Sequence, residues 1–382
     1  SNTSLIMIIF IQFFSIFILS KNNTISILSM NKKDPIHIKF MQRCLDLAKL
    51  GLGQTYPNPL VGSVLVFKGE IVSEGWHRKK GEAHAEVHAI QNLKDKTRLK
   101  ECTLYVNLEP CNHQGATPPC SDLIISSKIP RVVIGCFDPF KLVNGAGVEK
   151  LKNAGCEVLV GVLEQEAQEI NKRFFTFHLK KRPYILLKWA QSTDGFIAPL
   201  KQNRTQIEPV WLSNESSQRY SHLWRSQEQS ILVGVQTVID DNPSLTTRKV
   251  QGNSPLRIVL DPQGRIPEDS HVLKDEFDTL IFSTKKRTTS KELVLSDFKK
   301  ILDQLCAFLH QRNIHSLIVE GGSKTLQGFI DADLWDEARI FTSSKVLNEG
   351  IKKPVINGKQ NRNYLIEGDR LEIILPNPQK ER

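Results

Sequence analysis

The sequence has no apolar run that reaches the ~20 residues a membrane-spanning helix needs. Its most apolar segment, LIMIIFIQFFSIFIL at residues 5–19, is 15 residues long and is broken by Gln12 and Ser15. A secretory signal is missing two of its parts as well: Ser1-Asn2-Thr3-Ser4 carries no basic side chain, and no A-x-A-like cleavage site follows. Met30, followed by Asn31-Lys32-Lys33, stands directly before the first domain-like pattern. It is expected to be the natural start, with residues 1–29 outside the fold, and no membrane partner is expected unless that leader is retained. Lysine and arginine number 51 against 41 aspartates and glutamates, a formal net charge of +10, yet no run of them is long enough for a nucleic-acid-binding arm. Such a surplus favours anionic partners (nucleic acid, a membrane surface or phosphorylated small molecules) without choosing among them, and it reads as a solvated basic surface rather than as a nucleic-acid footprint. Cysteine is sparse: Cys44, Cys102, Cys111, Cys120, Cys136, Cys156 and Cys306 make an odd, scattered set of seven. That set excludes a disulfide framework, which a chain of this length does not need, and reduced thiols in a cytoplasmic enzyme are expected. Internal repeats and low-complexity segments are absent too. What remains is 382 residues, too many for one ordinary core and enough for two domains.

Ile36, Phe40, Met41, Cys44, Leu45 and Ala48 recur at three-to-four spacing, the pattern of a half-buried helix, with Gly51 or Gly53 to end it. Residues 61–67, the turn Lys68-Gly69 and Ile71-Val72 read as a hairpin. A helix over 84–93, a strand over 102–108, a Pro/Gly-rich loop over 109–119, a helix over 121–127 and a strand over 131–135 follow. A helix over 147–154 closed by Gly155 and a strand over 157–160 complete an alternation that implies a layered α/β domain. A polar-amphipathic stretch over 164–181 stops at Arg182-Pro183. A second α/β series then begins with a strand over 184–189 and continues with strands at 230–233, 256–260, 279–282 and 316–319. The boundary is placed near residue 181, giving domains 30–181 and 182–382.

His84-Ala85-Glu86 and Pro110-Cys111, followed by Cys120, form the strongest chemical signal. One imidazole and two thiolates suit Zn²⁺, and three protein ligands leave one coordination position for a water whose pKa the metal lowers. Glu86, two residues from His84 at a helix start, is placed to face that position without being a ligand and to shuttle a proton. The two cysteines are expected to open the next helix, where the positive end of the macrodipole favours thiolates. H-x-E with P-C is the signature of zinc deaminases, whose usual form closes with C-x-x-C. Here eight residues, 112–119, separate the cysteines, which argues against a nucleic-acid base editor of the usual build. His88 is read as a packed or polar-satisfied helix histidine, because the zincin motif needs Glu where Ala85 stands. The other five cysteines are read as small apolar residues.

These residues belong to longer blocks. Tyr56-Pro57-Asn58-Pro59-Leu60-Val61-Gly62, Gly75-Trp76-His77, His84-Ala85-Glu86-Val87-His88-Ala89 and the run from Glu109 through Cys111-Asn112-His113 to Pro119-Cys120 resemble the bifunctional riboflavin-biosynthesis deaminase–reductases, of which the extended Cys-to-Cys loop is characteristic. In the second half, Leu187-Lys188-Trp189-Ala190-Gln191-Ser192-Thr193-Asp194-Gly195, the run from Leu232 through Asp240-Asp241-Asn242-Pro243 to Arg248, and Val319-Glu320-Gly321-Gly322-Ser323 carry the same resemblance, which spans about residues 30–375. It implies a cytidine-deaminase-like three-layer α/β/α domain followed by a dihydrofolate-reductase-like α/β domain. It implies hydrolytic deamination of 2,5-diamino-6-(5-phosphoribosylamino)pyrimidin-4-one, then reduction of the product's ribosyl group to ribityl with NADPH. A phosphorylated pyrimidine is thus the expected partner, and a homo-oligomer the expected assembly.

Carried over residue by residue, the resemblance makes His84, Cys111 and Cys120 the zinc ligands and Glu86 the proton shuttle, with Asn58 at the pyrimidine edge. For His77 and His113 two roles stay open, facing the ribose phosphate or packing their loops. It sets Ala190, Trp211, Thr237 and Asp241 beside NADPH, and Gly322, Ser323, Lys324, Thr325, Leu326, Gln327 and Gly328 around its phosphates. A glycine turn at a helix start suits a pyrophosphate, although a Gly-Gly-Ser turn alone is weak evidence. Arg225, Leu245, Arg248 and Glu320 are set at the substrate, where a guanidinium can grip a phosphate. Two departures stand out. Pro209 occupies the place of the family's usual serine before Trp211 and has no side-chain donor, and Gly195 is followed by an unusual Ala198-Pro199-Leu200 loop. Lys285-Lys286-Arg287, able in principle to meet a 2′-phosphate, is read as a solvated loop. Two competing readings are weaker. A nucleic-acid base deaminase should show C-x-x-C and an aromatic-lined basic groove, and a structural zinc site should show a fourth protein ligand.

Overall fold

The computed structural model describes residues 31–114, 118–140, 144–203, 207, 210–286, 291–295, 297 and 300–378. The expected leader, Met30, Pro209 and Arg287 lie outside the described residues. Residues Lys32–Arg382 form one compact unit that contains two large sheets, each with its own core.

The first helix, α1 (Pro35–Lys49), starts where Asp34 caps it, its carboxylate accepting the Ile36 N–H at 3.0 Å, with proline at the first helical position. Its apolar stripe of Phe40, Met41, Cys44 and Leu47 is buried. The hairpin β1 (Gly62–Phe67) and β2 (Glu70–Trp76) turns at Lys68-Gly69, both in the left-handed region. Strands β3 (Thr103–Leu108), β4 (Arg131–Cys136) and β5 (Glu157–Val160) complete a sheet of order β2-β1-β3-β4-β5. β1 is antiparallel to β2 and β3, and β3, β4 and β5 are parallel. Strand alternation sorts the core into two faces. Val64, Val66, Tyr105 and Val133 pack under α1, while Leu65, Leu104, Val106, Val132 and Ile134 pack under α2 (Ala85–Asn92), α3 (Cys120–Ser126) and α4 (Ala146–Asn153). The domain is the three-layer α/β/α sandwich expected. Two glycines set its spacing. A Cβ at Gly62 would lie 2.1 Å from Cys44 O on α1, and one at Gly75 would lie 2.5 Å from His88 Cβ and 2.7 Å from Ala85 O on α2.

The stretch expected as one amphipathic element over 164–181 is two helices, α5 (Glu164–Ile170) and α6 (Lys172–Lys180), broken at Asn171. The buried Asn171 amide explains the break: it accepts the Leu60 N–H at 2.8 Å and donates to Leu60 O at 2.9 Å. α5 packs on β4 and α1, whereas α6 packs on the first strand of the second sheet.

That second sheet has nine strands in the order β11-β10-β9-β8-β12-β6-β13-β16-β15. Its members are β6 (Tyr184–Gln191), β8 (Ser230–Gly234), β9 (Leu256–Leu260), β10 (Thr279–Ser283), β11 (Glu292–Leu295), β12 (Ser316–Val319), β13 (Glu337–Thr342), β15 (Gly358–Ile366) and β16 (Asp369–Pro376). β7 (Phe196–Ala198) and β14 (Ile351–Lys352) form a separate two-stranded antiparallel sheet. The run from β11 to β13 is parallel, and β16 and β15 add an antiparallel hairpin at the edge. The expected strands near 184, 230, 256, 279 and 316 are present. β7, β11, β13, β14, β15 and β16 were not anticipated, and β15 is exposed along nearly its whole length, so no buried alternation marks it. β12 inserts between β8 and β6, so the chain order reverses there. In such sheets the crevice at the carboxyl ends of the strands at the reversal is where ligands bind.

Candidate active site

β2 delivers Gly75-Trp76-His77 beside the start of α2, and Gly75 lets α2 approach closely enough to bring its N-terminus onto the sheet edge. His84 occupies the cap position of α2 in extended backbone. The end of β3 carries Glu109-Pro110-Cys111. Glu109 is buried, and its carboxylate accepts the N–H groups of Gly145 at 3.0 Å, Gly147 at 2.9 Å and Val148 at 3.1 Å. That ties the cysteine loop to the start of α4, a role the sequence did not reveal. Cys120 is the first residue of α3, but Cys111 lies outside any helix, which corrects the expectation that both cysteines open one. The dipole argument survives in altered form, because the Cys120 N–H at the helix start points to Cys111 Sγ at 3.3 Å.

These elements converge. His84 Nδ1, Cys111 Sγ and Cys120 Sγ all lie within 4.8 Å of one another. His84 Nδ1 is 3.3 Å from Cys120 Sγ and 3.6 Å from Cys111 Sγ, so Nδ1 is the nitrogen turned to the thiols. Among the described residues this is the single cluster of three or more metal-ligating side chains, and no fourth protein ligand joins it. One borderline nitrogen and two sulfurs at this spacing fit a tetrahedral zinc with an open position. The hydrogen bond from Cys120, then that from His84, holds the Cys111 thiol down at about 4, despite burial. The same hydrogen bond, with burial, pushes Cys120 up. The hydrogen bond to Cys111 raises His84 against desolvation. Glu86, buried at 3 % exposure in the first turn of α2, has its carboxyl raised by burial, and it feels the charges of His84 and Cys111.

On the other wall, Asn58 Nδ2 meets His77 Nε2 at 3.0 Å, and His77 Nδ1 meets the Ala83 carbonyl at 3.2 Å. The His77 and His84 rings are 5.5 Å apart in edge contact. Burial lowers His77, keeping it neutral. His88 packs against β2, as expected, with Nε2 buried and without a hydrogen-bond partner among the described residues. His113 lies 6.4 Å from the Phe140 ring. All seven cysteines are free thiols, and burial pushes Cys102 up to about 11 and Cys136 and Cys306 up to about 12.

A second cluster gathers at the carboxyl ends of β6, β8 and β12. Helix α7 (Glu215–Gln227) carries Arg225, whose Nε and Nη2 donate to the two Glu320 oxygens at 2.8 and 2.7 Å, while Nη1 donates to Thr246 O at 3.2 Å. Lys188 Nζ on β6 lies 3.8 Å from the same carboxylate. Burial works to raise Glu320, but Arg225 and Lys188 outweigh it and hold it at about 2. Desolvation lowers Lys188. Lys188 was not singled out in the sequence; a lysine inside the apolar strand Tyr184–Gln191 was its signal. Arg248 lies close enough for Arg225 to lower it, after desolvation, and its N–H donates to His222 Nδ1 at 3.1 Å. Leu245 sits in the left-handed region at φ 57° with its side chain in the core, so only its backbone is available to a ligand.

The glycine turn is built by close approach. A Cβ at Gly321 would fall 2.7 Å from Gly234 N, and one at Gly234 would fall 2.3 Å from Thr325 Oγ1. A Cβ at Gly322 would meet nothing closer than Thr237 Oγ1 at 3.6 Å. The protein itself therefore does not demand glycine at 322; a ligand approaching the backbone would. Gly322 caps the helix Ser323–Asp331, and its N–H donates to Thr237 Oγ1 of α8 (Val235–Asp241) at 3.0 Å. The unpaired N–H groups of a helix start suit a pyrophosphate, so these residues fit a dinucleotide. Within 322–328 the first turn is open, whereas Leu326 is buried and the Gln327 amide is engaged by Val355 at 2.8 Å. Ala190 is at the end of β6 and Asp241 at the end of α8, both partly exposed. Trp211 is 43 % exposed, with Lys249 Nζ 5.9 Å from its ring.

Comparison with known proteins covers both halves. Residues 183–374 match the family described as RibD C-terminal domain, and residues 35–136 match the cytidine and deoxycytidylate deaminase zinc-binding region. The chain is 43 % identical over 322 residues to the riboflavin biosynthesis protein RibD of Aquifex aeolicus, covering 82 % of this chain and 88 % of that one. It is 35 % identical over 328 residues to RibD of Escherichia coli, covering 81 % and 88 %. Among solved structures, the diaminohydroxyphosphoribosylaminopyrimidine deaminase/5-amino-6-(5-phosphoribosylamino)uracil reductase of Thermotoga maritima superposes with a TM-score of 0.82 at 36 % identity, over 89 % of this chain and 99 % of that one.

Proposed function

The chain belongs to the RibD family, and from that premise we propose how its two sites divide the work of a bifunctional riboflavin-biosynthesis enzyme. It deaminates 2,5-diamino-6-(5-phosphoribosylamino)pyrimidin-4-one with zinc and reduces 5-amino-6-(5-phosphoribosylamino)uracil with NADPH. The observation that carries the first assignment is the convergence of His84 Nδ1, Cys111 Sγ and Cys120 Sγ beside a buried Glu86.

Zinc, when bound there, supplies a Lewis acid that makes a water acidic near neutral pH. Glu86, dry and with a raised carboxyl, takes a proton from the attacking water and returns it to the departing ammonia. Asn58 reads the pyrimidine edge, its amide oriented by His77. In the second site NADPH, when bound, supplies the hydride. The Gly322–Lys324 turn receives its pyrophosphate, with Ala190, Thr237, Asp241 and Trp211 beside it. Arg248 meets the substrate phosphate. Arg225 has its bidentate donors on Glu320, so its part is to fix that carboxylate and the Thr246 backbone in place. Glu320, held ionised, faces the substrate as an acceptor. We place the domain boundary near residue 181 and read the enzyme as a cytoplasmic homo-oligomer acting on small molecules and not on nucleic acid. Among the described residues no helix is long and apolar enough to cross a membrane. The exposed edge of β15, with Leu365 79 % exposed, supports self-association.

A coupled assay that follows ammonia release and NADPH oxidation separately tests this reading. Glu86→Ala should lose ammonia release by about 10²–10⁴-fold. It should still oxidise NADPH when given the deaminated intermediate. Ammonia release at the wild-type rate in Glu86→Ala refutes the proton-shuttle assignment.

A further inference from the structure

The turn over residues 53–60 carries Asn58, yet much of what holds it belongs to the reductase half. Gly53 adopts φ 84° with its Cα so close to α7 that a Cβ would lie 2.4 Å from Ser226 O. The Tyr56 hydroxyl donates to Gln227 O at 3.0 Å and accepts from Ser316 Oγ at 3.3 Å. Asn171, which clasps Leu60, is followed directly by Lys172 and Arg173. These bind Glu337 at 2.6 Å and Glu228 respectively, both in the second sheet's half. Behind the turn lies a cleft lined by Leu52, Tyr56, Asn58, Asn171, Arg173 and His315, so packing alone does not fix it. From Tyr56 the connection continues through Asn58 and His77 to the carbonyl of Ala83, the residue before the ligand His84.

We propose that Tyr56 is a positioning residue for deamination: its hydroxyl, anchored on the last turn of α7 and on β12, locks the turn so that Asn58 stands where the pyrimidine binds. The inference rests on the reading of Asn58 as a pyrimidine contact. The deaminase centre of this chain is then completed by its reductase half. α7 also carries Arg225, so the same helix organises both centres. Tyr56 touches neither substrate nor metal, and its effect is on the fraction of molecules whose turn is in the binding position. A reduced fraction raises the apparent KM and leaves kcat unchanged.

The test is Tyr56→Phe in the full chain, which keeps the ring and removes the hydroxyl. The deaminase KM should rise roughly fivefold or more, the scale of one lost, partly buried hydrogen bond. The kcat for ammonia release, the zinc content and the reductase constants should stay at wild-type values. A deaminase KM within twofold of wild type overturns the inference. So does parallel loss of zinc or of both activities, since that marks a residue of the general fold. Asn58→Ala, measured alongside, tests the underlying reading separately. Wild-type deamination in Asn58→Ala refutes the Asn58 assignment. Impaired deamination there, with wild-type constants in Tyr56→Phe, refutes the positioning role alone. A second variant, Gly53→Ala, should push the turn off α7 and raise the same KM, and a wild-type KM in it counts against the inference.

Discussion

Glu228→Gln should destabilise the protein by about 3–5 kcal/mol, the usual cost of breaking a buried ion pair from one side. Glu228 follows the last residue of α7, and its side chain is fully enclosed, at 0 % exposure. Arg173 Nε donates to one carboxylate oxygen at 2.8 Å, and Nη2 donates to the other. Arg173 is buried at 7 % exposure, and its guanidinium lies 5.5 Å from the Tyr184 ring. Burial works to protonate Glu228, but the charge of Arg173 wins and keeps its carboxyl below the usual range. Glutamine has the same shape but no charge, and its amide group turns donors toward donors, so Arg173 is left buried and uncompensated. At about 2–4 °C per kcal/mol for a domain of this size, Tm should fall by roughly 6–20 °C. Scanning calorimetry reads this, with Arg173→Met/Glu228→Leu as the companion variant. Removing both charges in favour of apolar side chains should restore most of the loss. The pH sense follows from the lowered carboxyl: the pair's contribution is present above the ordinary carboxylate pKa and is lost as pH falls through the folded value, so variant and wild type should converge in acid. A single variant that melts within 2 °C of wild type, or a double variant no more stable than the single, refutes the reasoning.

Cys120→Ser should lose zinc, read by metal analysis, and with it ammonia release, while NADPH oxidation persists; chelation of the wild type should do the same. Gly75→Ala should reduce deamination tenfold or more with the reductase intact, because the new Cβ meets α2 backbone at 2.6 and 2.7 Å and must displace the helix that carries Glu86. Burial lowers His178 to about 4 and His315 to about 3, among Phe174, Phe177 and each other. A folded pKa below the unfolded value near 6.5 means the unfolded chain binds the proton first. Stability is therefore full above about pH 6.5 and falls toward pH 4, and thermal melts of His178→Phe should show a shallower decline over that window than wild type.

The layered architecture and the metal chemistry were written locally. Val64, Leu65 and Val66 alternate between two cores because strand side chains alternate between faces, and that pattern needs no knowledge of the partner helices. The cluster of His84, Cys111 and Cys120, with Glu86 near it, was legible because that set of residue types near helix starts and a proline turn suits zinc chemistry. The long cysteine loop and the quoted blocks extended that reading to a family. The polar, exposed β15 was invisible, since an edge strand with no buried face carries no alternation. The break at Asn171 was hidden as well, because its cause is an amide that clasps Leu60, 111 residues away.

The sequence by itself determined which chemical groups this protein owns, their local backbone settings and the two α/β series that carry them, because propensity, period and ligand type act over a few residues. Tertiary structure alone decided how those groups are spent. It turned His84 Nδ1 toward the thiols and left Cys111 outside the helix that its sulfur faces. It inserted β12 between β8 and β6, which brings Glu320 to Arg225 across 95 residues and commits that guanidinium to a carboxylate. It also set the Asn58 turn against α7. Contacts of that range depend on strand order and on the packing of one sheet's helices against the other, and no local pattern encodes either.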